Sequence, residues 1–227
     1  VLQVVLGAGV LSVGLLIAGV TVGYPVWFMW IALGVLLAVL AKDCLYWGSG
    51  WLGLGQFWRS TGKLGRLLFG LSGAILGSSL LLALAPPLKF DALVYHLALP
   101  QAYLHAGRFI YTPWNMFWGM PQTGEVFYAW AMALGGAETA AVLGWLVALI
   151  ALSGVVAYTG RRLGGRSAAV ALAALLAGFT FAQATAWAYV DYWVMAFAVA
   201  FLIVFDRALK AGSSKDFFWA GIFAGFA

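Results

Sequence analysis

Apolar runs of about 15 to 20 residues, broken by short polar or glycine-rich stretches, recur along this chain, and a helix of about 20 residues covers the roughly 30 Å of hydrocarbon in a bilayer. The runs fall at residues 1–20, 24–41, 67–85, 139–158, 167–185 and 192–205, with a seventh, 217–227, reaching the last residue. The pattern predicts an all-α fold, a polytopic transmembrane helix bundle of about six spans plus a truncated seventh. The sixth run is short, which tilt and flanking aromatics can accommodate. Small residues four apart, Gly73/Gly77 and Ala169/Ala173/Ala177, offer faces for close helix approach. Ordinary Ala/Gly-rich span composition explains them equally well.

Composition narrows the class further. Of the 227 residues, 65% are hydrophobic and only 8% charged, against about 25% charged in soluble domains. That excludes a water-soluble enzyme, a disordered chain and a nucleic-acid binder together. The single cysteine, Cys44, rules out an internal disulfide and a cysteine-rich metal site. Residues 1–20 lack the basic start and small-residue cleavage site of a secretory signal, so they read as a span. The first residue is Val and the last run is cut short, which reads as a piece of a longer protein.

Charge sets the expected orientation. The span list puts Lys42, Arg59, Lys63, Arg66, Arg161, Arg162, Arg166, Arg207, Lys210 and Lys215 on one side, and only Lys89 and Arg108 on the other. By the positive-inside rule the first side is cytoplasmic. The acids divide the opposite way: Asp43, Asp206 and Asp216 inside, and Asp91, Glu125, Glu138 and Asp191 outside. Arg161-Arg162, Gly164-Gly165 and Arg166 read as a tight cytoplasmic turn.

The expected organisation is two N-terminal spans with an interfacial cytoplasmic loop, residues 1–66, followed by a core, residues 67–227. Segment 44–58 is too broken by glycine to span, and Trp47, Trp51 and Trp58 would sit at headgroup level. The one long connection, residues 86–137, is extracytoplasmic and holds five of the six prolines and both histidines. Loops beyond about 15 residues are uncommon unless functional or disordered, and this one is too rich in Phe, Tyr, Trp and Leu for disorder. It should carry two half-buried juxtamembrane helices. The first starts after Asp91, is interrupted at Pro100 and stops at Gly107; the second runs from Glu125 to Leu134 and stops at Gly135-Gly136.

Two acids stand out chemically. Asp91 lies just past a span, and Tyr95, four residues on, shares its helical face while His96 turns away. A carboxylate there is a candidate general base for an acceptor hydroxyl or amine, or a helix cap. Asp191 interrupts an otherwise uncharged stretch, 167–205, at an outer turn beside Trp187 and Trp193. An ionisable group at membrane depth is costly and marks function, although a helix N-terminus also welcomes an anion. Glu125 and Glu138 open helices in the same way. Lys89 and Arg108 could hold a phosphate or contact lipid headgroups. His96 and His105, nine residues apart across a proline, do not have metal-ligand spacing on one helix.

The motifs Phe90-Asp91-Ala92-Leu93-Val94-Tyr95-His96-Leu97, Gly107-Arg108-Phe109-Ile110, Met116 to Glu125 with Pro121, Ala137-Glu138, Arg162-Leu163-Gly164-Gly165 and Tyr189-Val190-Asp191 follow one another in order. In that order and placement, over about 100 of 227 residues, the chain resembles the membrane glycosyltransferases of the GT-C superfamily. It is most similar to the bacterial relatives of protein O-mannosyltransferases and of the lipid A aminoarabinose transferase. The resemblance implies a multi-pass protein of the bacterial inner membrane that serves the cell envelope. It would take sugar from a polyprenyl-phosphate donor and pass it, with inversion, to a lipid, glycan or protein acceptor at the extracytoplasmic face. It implies Asp91 as catalytic base and Asp191 as the acid that positions the acceptor or a metal. Tyr95, His96, Arg108, Trp114 and Glu125 become candidates for substrate binding. The chain departs from the family at Met120-Pro121-Gln122, where the relatives often carry Lys-Pro-Pro, and at Asp91-Ala92, where an acidic pair is usual. The phosphate ligand and any divalent metal are therefore left open, and no other cofactor is expected. Trp114, Trp118, Tyr95 and Tyr111 would either stack on sugar faces or belong to an aromatic belt. This stretch alone is expected to be inactive.

Two other classes compete. A transporter would place ionisable groups or broken helices inside its spans, whereas here the polar groups gather in one loop. A noncatalytic subunit of polysaccharide assembly would not need Asp91 and Asp191 to face one cavity, and the enzyme reading does.

Overall fold

The structure, a computed structural model, describes residues 1–42 and 54–227, so Asp43, Cys44, Trp47 and Trp51 lie outside the described residues. The described residues form helices and turns and contain no strand. In chain order the helices are α1 (Leu2–Thr21), α2 (Val26–Val39), α3 (Leu54–Ser60), α4 (Gly62–Ala83), α5 (Ala98–Ala106), α6 (Thr123–Gly135), α7 (Ala137–Leu163), α8 (Gly165–Leu176), α9 (Phe179–Ala184), α10 (Asp191–Ala211) and α11 (Ser214–Phe226). A π-helical turn, Ala92–His96, precedes α5, and a 3-10 turn, Met116–Gly119, precedes α6.

Among the described residues three helices, α1, α4 and α7, are long and apolar enough to cross a membrane, with mean hydropathies of 2.3, 1.6 and 2.4. The other expected spans differ in physical detail. α2 and α8 are apolar but have 14 and 12 residues. The fifth run, 167–185, is not one helix: Gly178 is extended (φ −73°, ψ 115°), and the chain restarts as α9. The sixth, expected to be short, becomes the 21-residue α10. It continues past Asp206 because Val204 and Ala208 still bury on its inner face and because the charges find partners.

α7 is the centre of the bundle, touching α4, α6, α8 and α10. Its buried residues are mostly small, Ala140, Ala141, Gly144, Ala148, Ala151 and Gly154 beside Val147 and Leu152, so neighbouring backbones come close. A Cβ on Gly154 would stand 2.7 Å from Val199 of α10. On α4 the close-packing residue is Gly65, whose Cβ position lies 3.6 Å from Ala169. Gly73 and Gly77 meet nothing within 4 Å, so that pair is not a packing face. α4 instead buries Ser72, Ser79 and Ala83, and Ser79 Oγ and the Leu76 carbonyl both accept from the Trp145 indole of α7, at 3.1 and 3.0 Å.

The two ends of the bundle are chemically different. At one end Arg162 pairs with Asp206, Lys210 reaches the same carboxylate at 2.8 Å, and Arg207 grips Asp216 through both oxygens at 2.5 and 2.8 Å. Exposed pairs of this kind each contribute under about 1 kcal/mol; they let charged helix ends coexist rather than driving the fold. At the other end lies the long loop. There the turn between α1 and α2 is stitched to α5's end: Tyr24 N–H donates to Gly107 O (2.6 Å) and Phe109 N–H to Gly19 O (2.9 Å). The Trp130 indole of α6 donates to Met29 O at 3.0 Å. α1 and α2 thus pack directly on the core helix α6, and α4 runs unbroken across residues 66 and 67.

Gly107 stops α5 in the left-handed conformation (φ 68°), and Gly136 and Gly164 (both φ 88°) make the turns that end α6 and α7. Pro100 does not interrupt its helix. It is the third residue of α5, where a missing N–H costs nothing because first-turn N–H groups have no intrahelical acceptor. The break falls at Leu97, between the π turn and α5.

Tyr24 locks the loop end: its ring lies on Gly19, where a Cβ would meet it at 2.3 Å, and its hydroxyl donates to Leu15 O at 3.1 Å. Burial pushes its phenol up to about 12. A raised folded-state value means stability that is full below the free phenol's value near 10 and lost as pH rises through about 12. Tyr24→Phe should cost about 1 kcal/mol at neutral pH and remove part of the stability loss in that alkaline window. Thermal unfolding of the purified protein against pH measures both.

Candidate functional site

Asp91 opens the π turn, and Asp191 is the first residue of α10. A hundred positions apart, they line one cavity of about 590 Å³ at the loop end of the bundle. Its other walls are Tyr95, Thr180, Phe181, Ala184, Trp187, Tyr189, Tyr192 and Met195. Neither acid acts as a helix cap. Asp91 makes no capping bond and already has helical dihedrals (φ −62°, ψ −38°), and α10 is preceded by Val190 with no side-chain cap. With no cap to make, both carboxylates face the cavity, Asp91 half-buried and Asp191 exposed.

Three contacts hold the Asp191 side. Tyr128 of α6 donates to Tyr189 O at 2.6 Å, and Tyr192 donates to Phe181 O at 2.5 Å. Trp193 stacks on Phe127 at 4.4 Å. α6 can approach this turn because residue 124 is glycine; a Cβ there would stand 2.4 Å from Val190 Cγ1. On the Asp91 side, Asn115 donates through Nδ2 to Val94 O (2.8 Å) while its Oδ1 accepts from Phe117 N–H (3.1 Å). Tyr95 stacks on Phe117 at 4.2 Å.

A buried pair joins the two sides from beneath. His96 Nδ1 and Glu125 Oε1 are 2.8 Å apart, with 3% and 5% of their side chains exposed. Glu125 lies in the first turn of α6, where the helix dipole favours its charge, and its second oxygen is buried without a partner. His96 packs 4.0 Å from the Tyr95 ring and 5.4 Å from Tyr189. The pair therefore lies against the cavity wall without lining the cavity.

The phenols of Tyr95 and Tyr189 are both pushed up, first by burial and then by the negative charge of Asp91, with Asp191 adding to each. Both therefore remain neutral hydrogen-bond donors throughout the physiological range. Lys89, two residues before Asp91, holds its ammonium 4.4 Å from the centroid of the Trp187 ring, a cation–π contact at the cavity's rim.

Of the seven residues singled out from sequence, Asp91, Tyr95 and Asp191 are thus gathered, and His96 and Glu125 pair behind them. Arg108 and Trp114 do not line the cavity: Arg108 lies beside Gly23, and Trp114 is 66% exposed. Trp118 is spent on Ile110 O (2.8 Å) and on the edge of Tyr111 (4.8 Å). Sequence reasoning missed Trp187 and Tyr189 as cavity-lining residues, for which the Tyr189-Val190-Asp191 run was the available signal; of the two cations it considered for a phosphate, Lys89 lies at the rim and Arg108 does not. Among the described residues no three His, Cys, Asp or Glu side chains come together as a metal site.

The described residues are all helix and connecting turn, with three helices long and apolar enough to cross a membrane and a two-carboxylate, aromatic-walled cavity at one end. Compared with known proteins, it matches no family model, no curated protein and no solved structure.

His96→Ala should leave Glu125 buried with neither oxygen bonded and cost about 2–3 kcal/mol. Gly124→Ala should cost about 1–3 kcal/mol by overpacking against Val190. Detergent-solubilised protein should show both as lowered unfolding midpoints.

Proposed function

We propose that this chain carries the catalytic end of a GT-C-type membrane glycosyltransferase that moves sugar from a polyprenyl-phosphate donor to an acceptor at the extracytoplasmic face. The observation that carries the reading is the convergence of Asp91 and Asp191 on one cavity beside the helix ends. Asp91 is the base: it takes the proton from the acceptor hydroxyl as that oxygen attacks the anomeric carbon. The bond from that carbon to the phosphate oxygen breaks on the opposite side, so the centre inverts and polyprenyl phosphate departs. A phosphate leaves readily without prior protonation, so one base and a cation near the phosphate meet the chemical demand. Asp191, exposed at the cavity mouth, orients the acceptor. Trp187, Tyr95 and Tyr189 supply ring faces for sugars and, as phenols held protonated, hydrogen bonds to hydroxyls.

In this reading α1, α2, α4, α7, the α8–α9 pair and α10 are six passes through a bacterial inner membrane, with α11 as a seventh. The cation-rich end is then cytoplasmic, as positive charge prefers, and the loop end is where a lipid-borne saccharide would meet the two acids. His96 and Glu125 support the wall of the binding site rather than touching substrate. The acceptor is a lipid, glycan or protein of the cell envelope.

Membranes containing the full-length protein, fed a panel of polyprenyl-phosphate sugars, test the reading. Asp91→Asn should abolish transfer with membrane insertion intact, and Asp191→Asn should slow it by about tenfold or more. Full turnover in Asp91→Asn would remove the base, and with it the mechanism.

A further inference from the structure

In the half of the bundle away from the two acids, a cavity of about 530 Å³ opens between α4, α7 and α8. Phe69 of α4, Leu152 and Val156 of α7 and Leu172 of α8 line it, and Phe57 and Trp58 of α3 close it toward the cation-rich end. The rings of Phe57 and Trp58 stand 5.6 and 6.4 Å from that of Phe69. Glycines let α3 lie on the turn between α7 and α8: a Cβ on Gly160 would meet the Phe57 ring at 3.3 Å, and one on Gly165 would meet Ser60 and Thr61 at 3.0 Å. The one side-chain hydroxyl in the wall, that of Ser153, already donates to Ile150 O at 2.8 Å. A polar occupant would find no partner here; hydrocarbon needs none.

Past the α3 rings the chemistry changes. Lys63 and Arg66 lie in the first two turns of α4, and Arg66, three residues before Phe69, shares its side of the helix. The acids that the described residues place at this end, Asp206 and Asp216, are both taken: Arg162 and Lys210 hold the first and Arg207 the second. None of the ion pairs among the described residues takes up Lys63 or Arg66. Arg66 donates through Nε to Gly62 O at 3.2 Å, a contact that leaves its charge without a carboxylate. An apolar space beneath a surplus of positive charge is complementary to a lipid with a negative head.

We propose that this cavity binds an anionic phospholipid, with one acyl chain against Leu152, Val156 and Leu172 and the phosphate on Lys63 and Arg66. A zwitterionic lipid carries its own positive charge and gains less from the two cations. Bound there, the lipid fills the space under α3 and ties that short helix to the bundle. The site rests on the fold alone and stands whether or not the other end transfers sugar.

The test is equilibrium binding to the full-length protein, freed of lipid in an uncharged detergent and titrated while native mass spectrometry counts bound molecules. Three probes are used: phosphatidylglycerol, phosphatidylcholine with the same chains, and glycerol 3-phosphate, which has the charged head without the tails. Phosphatidylglycerol should bind about tenfold or more tighter than phosphatidylcholine, and the Lys63→Gln/Arg66→Gln double variant should erase that difference. Lys63→Arg/Arg66→Lys should keep it. Ser153→Phe, which fills the cavity from its exposed side, should abolish specific binding of both phospholipids. All three positions are exposed, and an unchanged elution profile separates lost binding from misfolding. Equal affinity for the two phospholipids, a preference retained by the double variant, glycerol 3-phosphate binding as tight as the lipid, or unchanged lipid binding by Ser153→Phe would each overturn the site. So would a dimer that forms as lipid is removed and is broken by Ser153→Phe, because a second copy of the chain would then be the occupant.

Discussion

A carboxylate cannot be shut away from water unless donors meet it, because desolvation of the charge costs several kcal/mol. Glu125 is shut away, and the donor it has found, His96, comes from 29 residues earlier in the loop. That single requirement dictates much of the loop end. For the pair to form, the π turn must lie against the N-terminus of α6, and α6 must in turn press on the turn before α10, where glycine at 124 leaves room for Val190. Tyr128 then reaches the Tyr189 carbonyl. Asp91 and Asp191, one on each side of this arrangement, face the same space as a result.

How much of this was legible in the sequence depended on whether the signal was local. The long apolar helices α1, α4 and α7 follow from run length and hydropathy, and the stops at Gly107 and Gly136 follow from the freedom of glycine at positive φ. The gathering of chemistry at the end opposite the arginines followed from counting charges. The break at Gly178 did not, because an unbroken apolar run carries no mark of where the chain turns within it. Gly73 and Gly77 had the right spacing for a contact and no neighbour to make it with; spacing defines a face, and only the fold says what covers it. Pro100 looked like an interruption because its place in the first turn depends on where α5 starts, which Leu97 decides.

The candidate site shows the same division. Asp91, Tyr95 and Asp191 are rare polar groups in apolar surroundings, so they could be found one at a time. Trp187 and Tyr189 are two aromatics among 37 in the chain, and only tertiary contact separates a cavity wall from a belt. Their chemistry suits the acids beside them: Trp187 offers a ring face to the nearest cation, and the Tyr189 phenol keeps its proton because burial, and then the charge of Asp91, makes losing it harder.

The π turn at Ala92–His96 has a further consequence. Such a turn holds one residue more than the α-helical turn it replaces. Within it Tyr95 borders the cavity while His96, its ring 4.0 Å from that of Tyr95, is buried and pairs with Glu125. The loop thereby gives two touching, consecutive side chains different partners, the cavity for Tyr95 and the buried Glu125 for His96. Removing a single residue from the segment would turn every side chain after it, so the length of this turn, as much as the identity of its side chains, sets which of them meets the cavity and which meets Glu125.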